Sequence, residues 1–198
     1  RNIDIKNYYQ LIKYLLSKNY FVIRIGQNQK DKVKIKNKEF IDYPFSEIKS
    51  DFMDLYLIKN CKFFIGNLSG PLEAAYMFDK PCLALDVNKV FESFPRGKYS
   101  RSVFTNVFYK NSKQKIPFKE FVNLDIKYHH WKFIDNSIEY KNLKEEEILE
   151  EIKSYQLLIE KNQFYLENTQ IKFNNYILNN LIKKINNLKE QTRTKSIV

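Results

Sequence analysis

An alternation of helix-like and strand-like patterns between residues 51 and 86 restricts the fold of this chain most strongly. A first predicted helix is followed by a short apolar strand, Lys62 to Gly66, and by a turn over Asn67 to Gly70. A second helix, Pro71 to Phe78, then leads into another apolar strand, Pro81 to Asp86. Strands that alternate with helices in this way indicate βαβ crossovers, so the sequence predicts an α/β fold with a parallel sheet.

Patterns on both sides extend this plan. A helical spacing of apolar residues from Asp4 to Ser17 leads directly into Tyr20 to Ile25, an apolar run that predicts a strand buried on both faces. Asp4 and Ser50-Asp51 are the expected N-terminal caps of their helices. The remaining predictions are a loop at 27–38, strands at 40–43, 103–109 and 133–134, and a short helix at 119–122.

From about Leu143 the pattern becomes helical. Glu145-Glu146-Glu147 opens an amphipathic helix with acids in its first turn, and the pattern continues less regularly to about Ile185. We therefore expect an α/β domain at 1–142, a helical C-terminal segment at 143–188 and a frayed tail at 189–198. Because the chain starts at Arg1 and not at Met, we also expect it to be a fragment.

The basic charge of the chain is explained by a bias in its amino-acid composition. Lys and Arg number 34 against 23 Asp and Glu, which gives a net charge of +11, but only five of the basic residues are Arg. Lys, Asn and Ile are the residues that AT-rich codons supply, so the balance favours codon bias over a selected nucleic-acid surface. The Lys-rich stretch Lys30 to Lys38 alternates with apolar residues and is predicted to be a solvated loop or an edge strand.

Composition excludes several other classes of protein. With 43% hydrophobic residues the chain is too rich in core-forming residues to be disordered as a whole. Cys61 and Cys82 form neither a zinc pattern nor a disulfide framework, and their apolar surroundings predict small buried side chains in a reducing, cytoplasmic setting. No run approaches the roughly 18 apolar residues that cross a bilayer.

The turn after the strand at Lys62 to Gly66 is the strongest candidate for a binding site. A strand that stops at Gly66 before a turn and a new helix leaves backbone N–H groups at the carboxyl end of the strand, where the helix dipole also favours an anion. Gly70 would let a phosphate approach the backbone, Ser69 adds a hydroxyl donor and Glu73 is placed to accept from a ribose hydroxyl. The alternative is an ordinary helix capped by Ser69 or Asn67.

Taken in order, several segments resemble a bacterial family of cell-surface-polysaccharide glycosyltransferases. The resemblance covers residue 1 to about residue 160, and it rests on Arg1 to Asp4 before a Tyr-containing helix, Phe21 to Gly26, Asp51 to Ile58, Cys61 to Gly66 with Ser69-Gly70, Lys80-Pro81, and Ile134 to Ser137. Members resemble two-domain GT-B enzymes, whose second domain binds the nucleotide-sugar donor. The resemblance thus implies a Rossmann-like parallel sheet with flanking helices, one half of a GT-B fold, plus a C-terminal helical tail.

The resemblance also implies roles for individual residues. The donor diphosphate would lie on Asn67, Leu68, Ser69 and Gly70, with Glu73 towards the ribose. Arg24 and Gly26 match the end of another strand, where Arg24 would stabilise the leaving group, and Asn136 and Ser137 match a third strand end. The alternative for Arg24 is an ion pair with Asp51 or Asp54.

The chain also departs from the family. Where the family places an Asn after Pro81, this sequence has Asp86 and then Asn88, and the part after residue 160 does not follow the family. The resemblance implies an N-terminal domain that would hold the acceptor site and the catalytic base, and we expect this chain to lack it. The two histidines, His129 and His130, are read as packing or surface residues, so no catalytic residue beyond Arg24 is assigned.

The sequence therefore predicts the donor-binding half of a glycosyltransferase that transfers a sugar from a nucleotide-sugar to a surface-glycan or lipid-linked acceptor. We expect it to be inactive without the N-terminal domain, to use no metal or other cofactor, to bind no nucleic acid, and to be cytoplasmic with peripheral association at the inner face of the membrane. Two alternatives stay open. One is a nucleotide-sugar epimerase-like enzyme with a similar Ser-Gly turn, and the other is a non-enzymatic basic binding module for nucleic acid or acidic glycans.

Overall fold

The computed structural model describes residues 4–27, 29–89, 96–97, 99–127, 137–162, 171–172, 174–179, 182–183 and 186. The helices are α1 (Tyr9–Ser17), α2 (Asp51–Asn60), α3 (Gly70–Met77), α4 (Phe118–Lys127) and α5 (Glu145–Lys161). The strands are β1 (Val22–Arg24), β2 (Phe40–Asp42), β3 (Phe64–Gly66), β4 (Cys82–Val87), β5 (Arg101–Phe104), β6 (Asn106–Tyr109) and β7 (Ile138–Lys141).

The chain divides into two compact units. The first comprises the described residues of Arg1–Asn88, Ser93–Asn106 and Lys141–Gln163, and the second comprises those of Lys89–Glu92, Val107–Tyr140 and Phe164–Val198. The first unit contains α1, α2, α3, α5 and strands β1 to β5, so it holds most of the elements that the sequence predicts for the α/β fold. Helix α5, which lies in the predicted helical C-terminal segment, packs against α1 in this first unit.

The sheets of the first unit are parallel. Strands β1 and β2 form one pair, and β3, β4 and β5 form a three-stranded sheet in that order. The register places Val22 opposite Phe40, Arg24 opposite Asp42, Phe64 opposite Cys82, and Leu83 opposite Arg101. Because β3, α3 and β4 form the βαβ unit read from the sequence, the predicted Rossmann-like α/β fold is confirmed.

Strand β4 lies between two apolar clusters. Leu83 and Leu85 belong to a first cluster with buried residues of α1 and α5, whereas Cys82 and Ala84 belong to a second cluster with residues of α2 and α3. All four side chains are fully buried. Alternate residues of a strand point to opposite faces, so helices cover both faces of the sheet at β4.

The predicted caps begin two helical segments. The Asp4 carboxylate accepts a hydrogen bond from the Lys6 N–H at 3.0 Å and opens a short 3-10 turn, Ile5–Tyr8, that leads into α1. Ser50 Oγ accepts from the Met53 N–H at 3.2 Å and caps α2. Each side-chain oxygen pairs with an amide that has no partner within the helix, which fixes where the helix starts.

The prediction of a strand buried on both faces from Tyr20 to Ile25 is wrong in part. Strand β1 is shorter, and its face that carries Ile23 is open, with Phe21 69% and Ile23 36% exposed. Val22, on the other face, packs against the first cluster. An apolar run predicts that a strand is buried, but it does not predict which helix covers each face of the strand. In this structure α2 packs against α3.

The prediction of one strand from Val103 to Tyr109 is also wrong. The run is divided at Thr105 into β5, which joins the three-stranded sheet, and β6, which pairs with β7. The Thr105 N–H donates to the Val87 carbonyl at 3.0 Å, and its Oγ1 donates to the Lys141 carbonyl at 2.8 Å. A continuous β-prone run does not show where the chain passes from one sheet to another, because that point depends on hydrogen-bond partners distant in sequence.

The second unit contains β6 from Val107 onward, α4, and β7 up to Tyr140. The Ile116 N–H donates to the Val107 carbonyl at 2.8 Å, and both residues are buried, as are Phe121 and Val122 of α4. Helix α4 spans Phe118–Lys127 and is longer than the helix predicted at 119–122. The predicted strand at 133–134 lies outside the described residues, whereas the predicted loop at 27–38 contains no helix or strand among its described residues.

Candidate functional site

The turn between β3 and α3 has the strand-turn-helix geometry that the sequence predicts. Strand β3 ends at Gly66, α3 begins at Gly70, and Ser69 lies between them in an extended conformation at the N-cap position. Ser69 Oγ donates to the Asn67 carbonyl at 3.0 Å and makes no capping bond to the helix. The helix start is therefore not closed by the Ser69 side chain, unlike an ordinary capped helix.

The amide of Gly70 is available at this helix start. Gly70 is exposed, and within the described part of the chain no group accepts a hydrogen bond from its N–H. A Cβ built on Gly70 would meet no atom within 4 Å. The first residue of α3 thus combines an unpaired donor, the positive end of the helix dipole and open space, which is the arrangement that accepts an anion.

Glu73 and Arg96 lie next to this helix start. Arg96 Nη1 is 2.7 Å from Glu73 Oε2, and both side chains are largely exposed. The guanidinium carbon of Arg96 also lies 5.7 Å from the centre of the Tyr76 ring. Glu73, which was expected to face a ribose hydroxyl, therefore holds a cation one helical turn from Gly70.

Sequence reasoning missed Arg96. Arg96 and Glu73 are 23 positions apart in the chain, so no local spacing links them. The available signal was the scarcity of Arg, because a chain with 34 basic residues uses Arg at only five positions. Arg presents a planar set of donors that suits phosphate oxygens, which a Lys cannot reproduce.

Arg24 is engaged in an internal ion pair. Its Nη1 lies 3.1 Å from Asp42 Oδ1 and donates to the Asp31 carbonyl at 3.0 Å, and its Nη2 donates to Gln29 Oε1. The side chain is 9% exposed. The alternative pairing with Asp51 or Asp54 is wrong, because Asp42 stands opposite Arg24 in the parallel register. The charge that was assigned to a leaving group is neutralised by Asp42.

Gly26 follows β1 at a backbone conformation that requires glycine. Its φ is +148°, and a Cβ there would lie 2.9 Å from Gln29 Nε2. Ile25, the preceding residue, packs against the second cluster, as does Leu68 of the β3–α3 turn. The structure therefore brings the residue after β1 and this turn to the same cluster, although β1 and β3 belong to separate sheets.

The third predicted strand end lies outside the described residues, apart from Ser137. Ser137 belongs to the second unit and immediately precedes β7, so it stands at the beginning of a strand. Its carbonyl accepts from the Lys110 N–H at 2.7 Å. Asn136 lies outside the described residues, as do His129 and His130.

Asp86 is a second polar feature at the end of β4. It has a φ of +53°, which is uncommon for a residue with a side chain, and its Oδ1 accepts from the Leu143 N–H at 2.6 Å. Its Oδ2 is buried and has no hydrogen-bond partner within the described residues. The hydroxyl of Tyr8 is likewise buried and has no hydrogen-bond partner among them. Burial raises the pKa of Asp86, and the charge of Glu147 adds to the effect, although the bond from Leu143 opposes it.

Comparison with known proteins gives no further constraint. No protein-family model, no curated protein and no solved structure matches the chain. Among the residues that the structure describes, no three His, Cys, Asp or Glu side chains are grouped so as to hold a metal ion. Of the described helices, none has the length and apolar character needed to span a membrane.

Proposed function

We propose that the first unit binds the diphosphate of a nucleotide-sugar at the β3–α3 turn. On this proposal the chain is the donor-binding part of a glycosyltransferase that transfers the sugar to a surface-glycan or lipid-linked acceptor. The observation that carries the proposal is the open start of α3, where the N–H of the exposed Gly70 has no acceptor among the described residues and a Cβ on Gly70 would meet open space.

Three kinds of group at the turn suit a diphosphate. The Gly70 N–H and the dipole of α3 offer a fixed positive end, and the Ser69 hydroxyl can rotate away from the Asn67 carbonyl to donate to a phosphate oxygen. Arg96 supplies a mobile charge, because an exposed ion pair such as Arg96–Glu73 is worth little and is readily exchanged for a phosphate. These groups would stabilise the negative charge that develops on the departing nucleoside diphosphate.

The choice of a nucleotide-sugar over other diphosphates is supported by the resemblance described above. The segments that carry the resemblance include the end of β1 before Gly26 and the β3–α3 turn. Ile25 of the former and Leu68 of the latter pack against the second cluster. A ligand in an open α/β fold binds outside the carboxyl ends of the strands, where both of these segments lie.

Calorimetric titration of uridine and guanosine diphosphates tests the site. Gly70→Ala places a methyl group in the open space without touching any protein atom, so we expect a fold like that of the parent chain and at least a 10-fold weaker nucleotide affinity. Ser69→Ala in addition removes the hydroxyl donor and should weaken binding further. Thermal melts of both variants verify that the fold is retained.

Met77→Ala is the matched control, because Met77 ends the same helix and is 85% exposed. We expect its nucleotide affinity to equal that of the parent chain. Unchanged affinity in Gly70→Ala would remove the site assignment. Failure of a nucleotide-sugar to displace a bound nucleoside diphosphate would instead contradict the donor role while leaving the anion site in place.

A further inference from the structure

The connection between β1 and β2 carries a row of lysines on one side. In the segment 29–38, here called the lysine segment, Lys32, Lys34 and Lys36 are exposed, whereas Val33 is buried and Ile35 packs against the first cluster. This alternation is that of an extended chain, in which every second side chain points the same way at a spacing of roughly 6–7 Å. Lys30 and Lys38, at the two ends of the segment, are also exposed.

The ion pair of Arg24 and Asp42 holds the lysine segment in place. Arg24 donates to the Asp31 carbonyl at 3.0 Å, and Asp42 Oδ2 accepts from the Val33 N–H at 2.7 Å. Both partners of this pair are nearly buried. The first half of the segment is thus fixed to β1 and β2 by charge-assisted hydrogen bonds, which orders the row of lysines beside the sheet.

Among the described residues, no carboxylate forms an ion pair with the lysines of the lysine segment. Its ten residues contain five lysines and one acid, Asp31. Lys32 Nζ lies 5.5 Å from the centre of the Phe45 ring. Codon bias accounts for a high number of lysines, but the alternating burial concentrates them on one side.

We propose that the lysine segment docks the protein on an anionic lipid surface. A cluster of four to eight basic residues near a membrane is attracted to acidic headgroups, and each lysine strengthens binding about fivefold. The exposed Ile23 and Ile41 lie on the other face of β1 and β2 from Val22 and Phe40, which pack in the same cluster as Val33. The lysines alone therefore carry the attraction to the lipid surface.

Lipid fits these residues better than nucleic acid does. A single-stranded nucleic acid is held by aromatic side chains that stack on its bases, and the lysine segment contains no aromatic residue. Its cations are all lysines, which act as point charges, whereas the planar Arg fork typical of phosphate and base recognition is absent from the segment.

Cosedimentation of the full chain with lipid vesicles tests this proposal independently of nucleotide binding. We expect binding to vesicles of phosphatidylcholine with phosphatidylglycerol but not to phosphatidylcholine alone, and release when the salt concentration is raised. The triple variant Lys32→Gln, Lys34→Gln, Lys36→Gln should lose affinity on the order of 100-fold, since three charges are removed. These side chains are exposed, so the fold should be retained.

A second triple variant controls for net charge. Lys6→Gln, Lys13→Gln and Lys59→Gln remove three exposed lysines outside the segment, and we expect affinity within a few-fold of the parent chain. Equal losses in the two triple variants would overturn the proposal, as would equally strong binding to neutral vesicles. Titration with a labelled single-stranded RNA completes the test, because tighter binding of RNA than of anionic vesicles, lost in the first triple variant, would assign the segment to nucleic acid.

Discussion

At the scale of single residues, charge partners decide which side chains are free to act. Arg24 looked like a phosphate ligand from its place after a strand, but Asp42 stands opposite it and neutralises it. Arg96 had no local signal and lies beside the open start of α3 through its contact with Glu73. Neither ion pair can be predicted from the sequence, because each depends on strand register or on residues far apart in the chain. The turn that contains Ser69 and Gly70, in contrast, was predictable from local spacing.

Asp86 provides a prediction at this scale. Its pKa is raised in the folded protein, so folding favours the protonated form, and the associated stability is lost as the pH rises from the ordinary Asp value of about 3.9 through the raised value. Asp86→Asn keeps an acceptor for the Leu143 N–H, suits the positive φ and does not titrate. We therefore expect a higher free energy of unfolding than in the parent chain at neutral pH, measured by urea denaturation.

The advantage of Asp86→Asn should shrink as the pH is lowered through that window. Asp79→Asn is a matched control, because Asp79 has the same φ of +53° and an exposed side chain, and we expect little change in its free energy of unfolding. A loss of stability in Asp86→Asn at neutral pH would show instead that the carboxylate charge supports the fold.

At the scale of elements, apolar periodicity predicts the presence of a helix or strand better than it predicts which strands pair. The unit from β3 through α3 to β4 was predicted correctly, because β4 is buried on both faces and its pattern is uninterrupted. The run from Val103 to Tyr109 was predicted as one strand, and the two bonds of Thr105 divide it. Such a division depends on carbonyls at Val87 and Lys141, which are supplied by other parts of the chain.

The two serines at helix starts give a prediction at this scale. Ser50 and Ser69 both occupy N-cap positions with extended backbones, but only the Ser50 hydroxyl accepts from a helical N–H. We expect Ser50→Ala to lower the free energy of unfolding by about 1 kcal/mol and Ser69→Ala to change it by less than about 0.5 kcal/mol. Urea denaturation at neutral pH measures both. Equal losses would mean that the Ser69 hydroxyl caps α3 in solution.

At the scale of the whole molecule, the first unit combines a predictable framework with contacts that are not local in sequence. Alternating helices and strands were sufficient to predict the parallel α/β fold. The place of α5 was not predictable, because its packing on α1 joins residues about 140 positions apart, as in the bond from the Tyr14 hydroxyl to Gln156 at 2.9 Å. The proposed site benefits from this framework, since α3 connects β3 to β4, the largely buried central strand of the three-stranded sheet.

Stabilisation by ligand is the prediction that belongs to the whole molecule. A nucleoside diphosphate that binds the folded first unit alone adds about 2.7 kcal/mol to its stability at a concentration of 100 times Kd. For a chain of this size we expect a rise in melting temperature of roughly 5–10 °C in a thermal melt.

Gly70→Ala should lose most of this rise, whereas its melting temperature without ligand should not fall, because its methyl group meets no protein atom. The triple variant of the lysine segment should keep the full rise, since none of those lysines is among the groups proposed to contact the diphosphate. A rise that Gly70→Ala retains would place the nucleotide elsewhere on the protein.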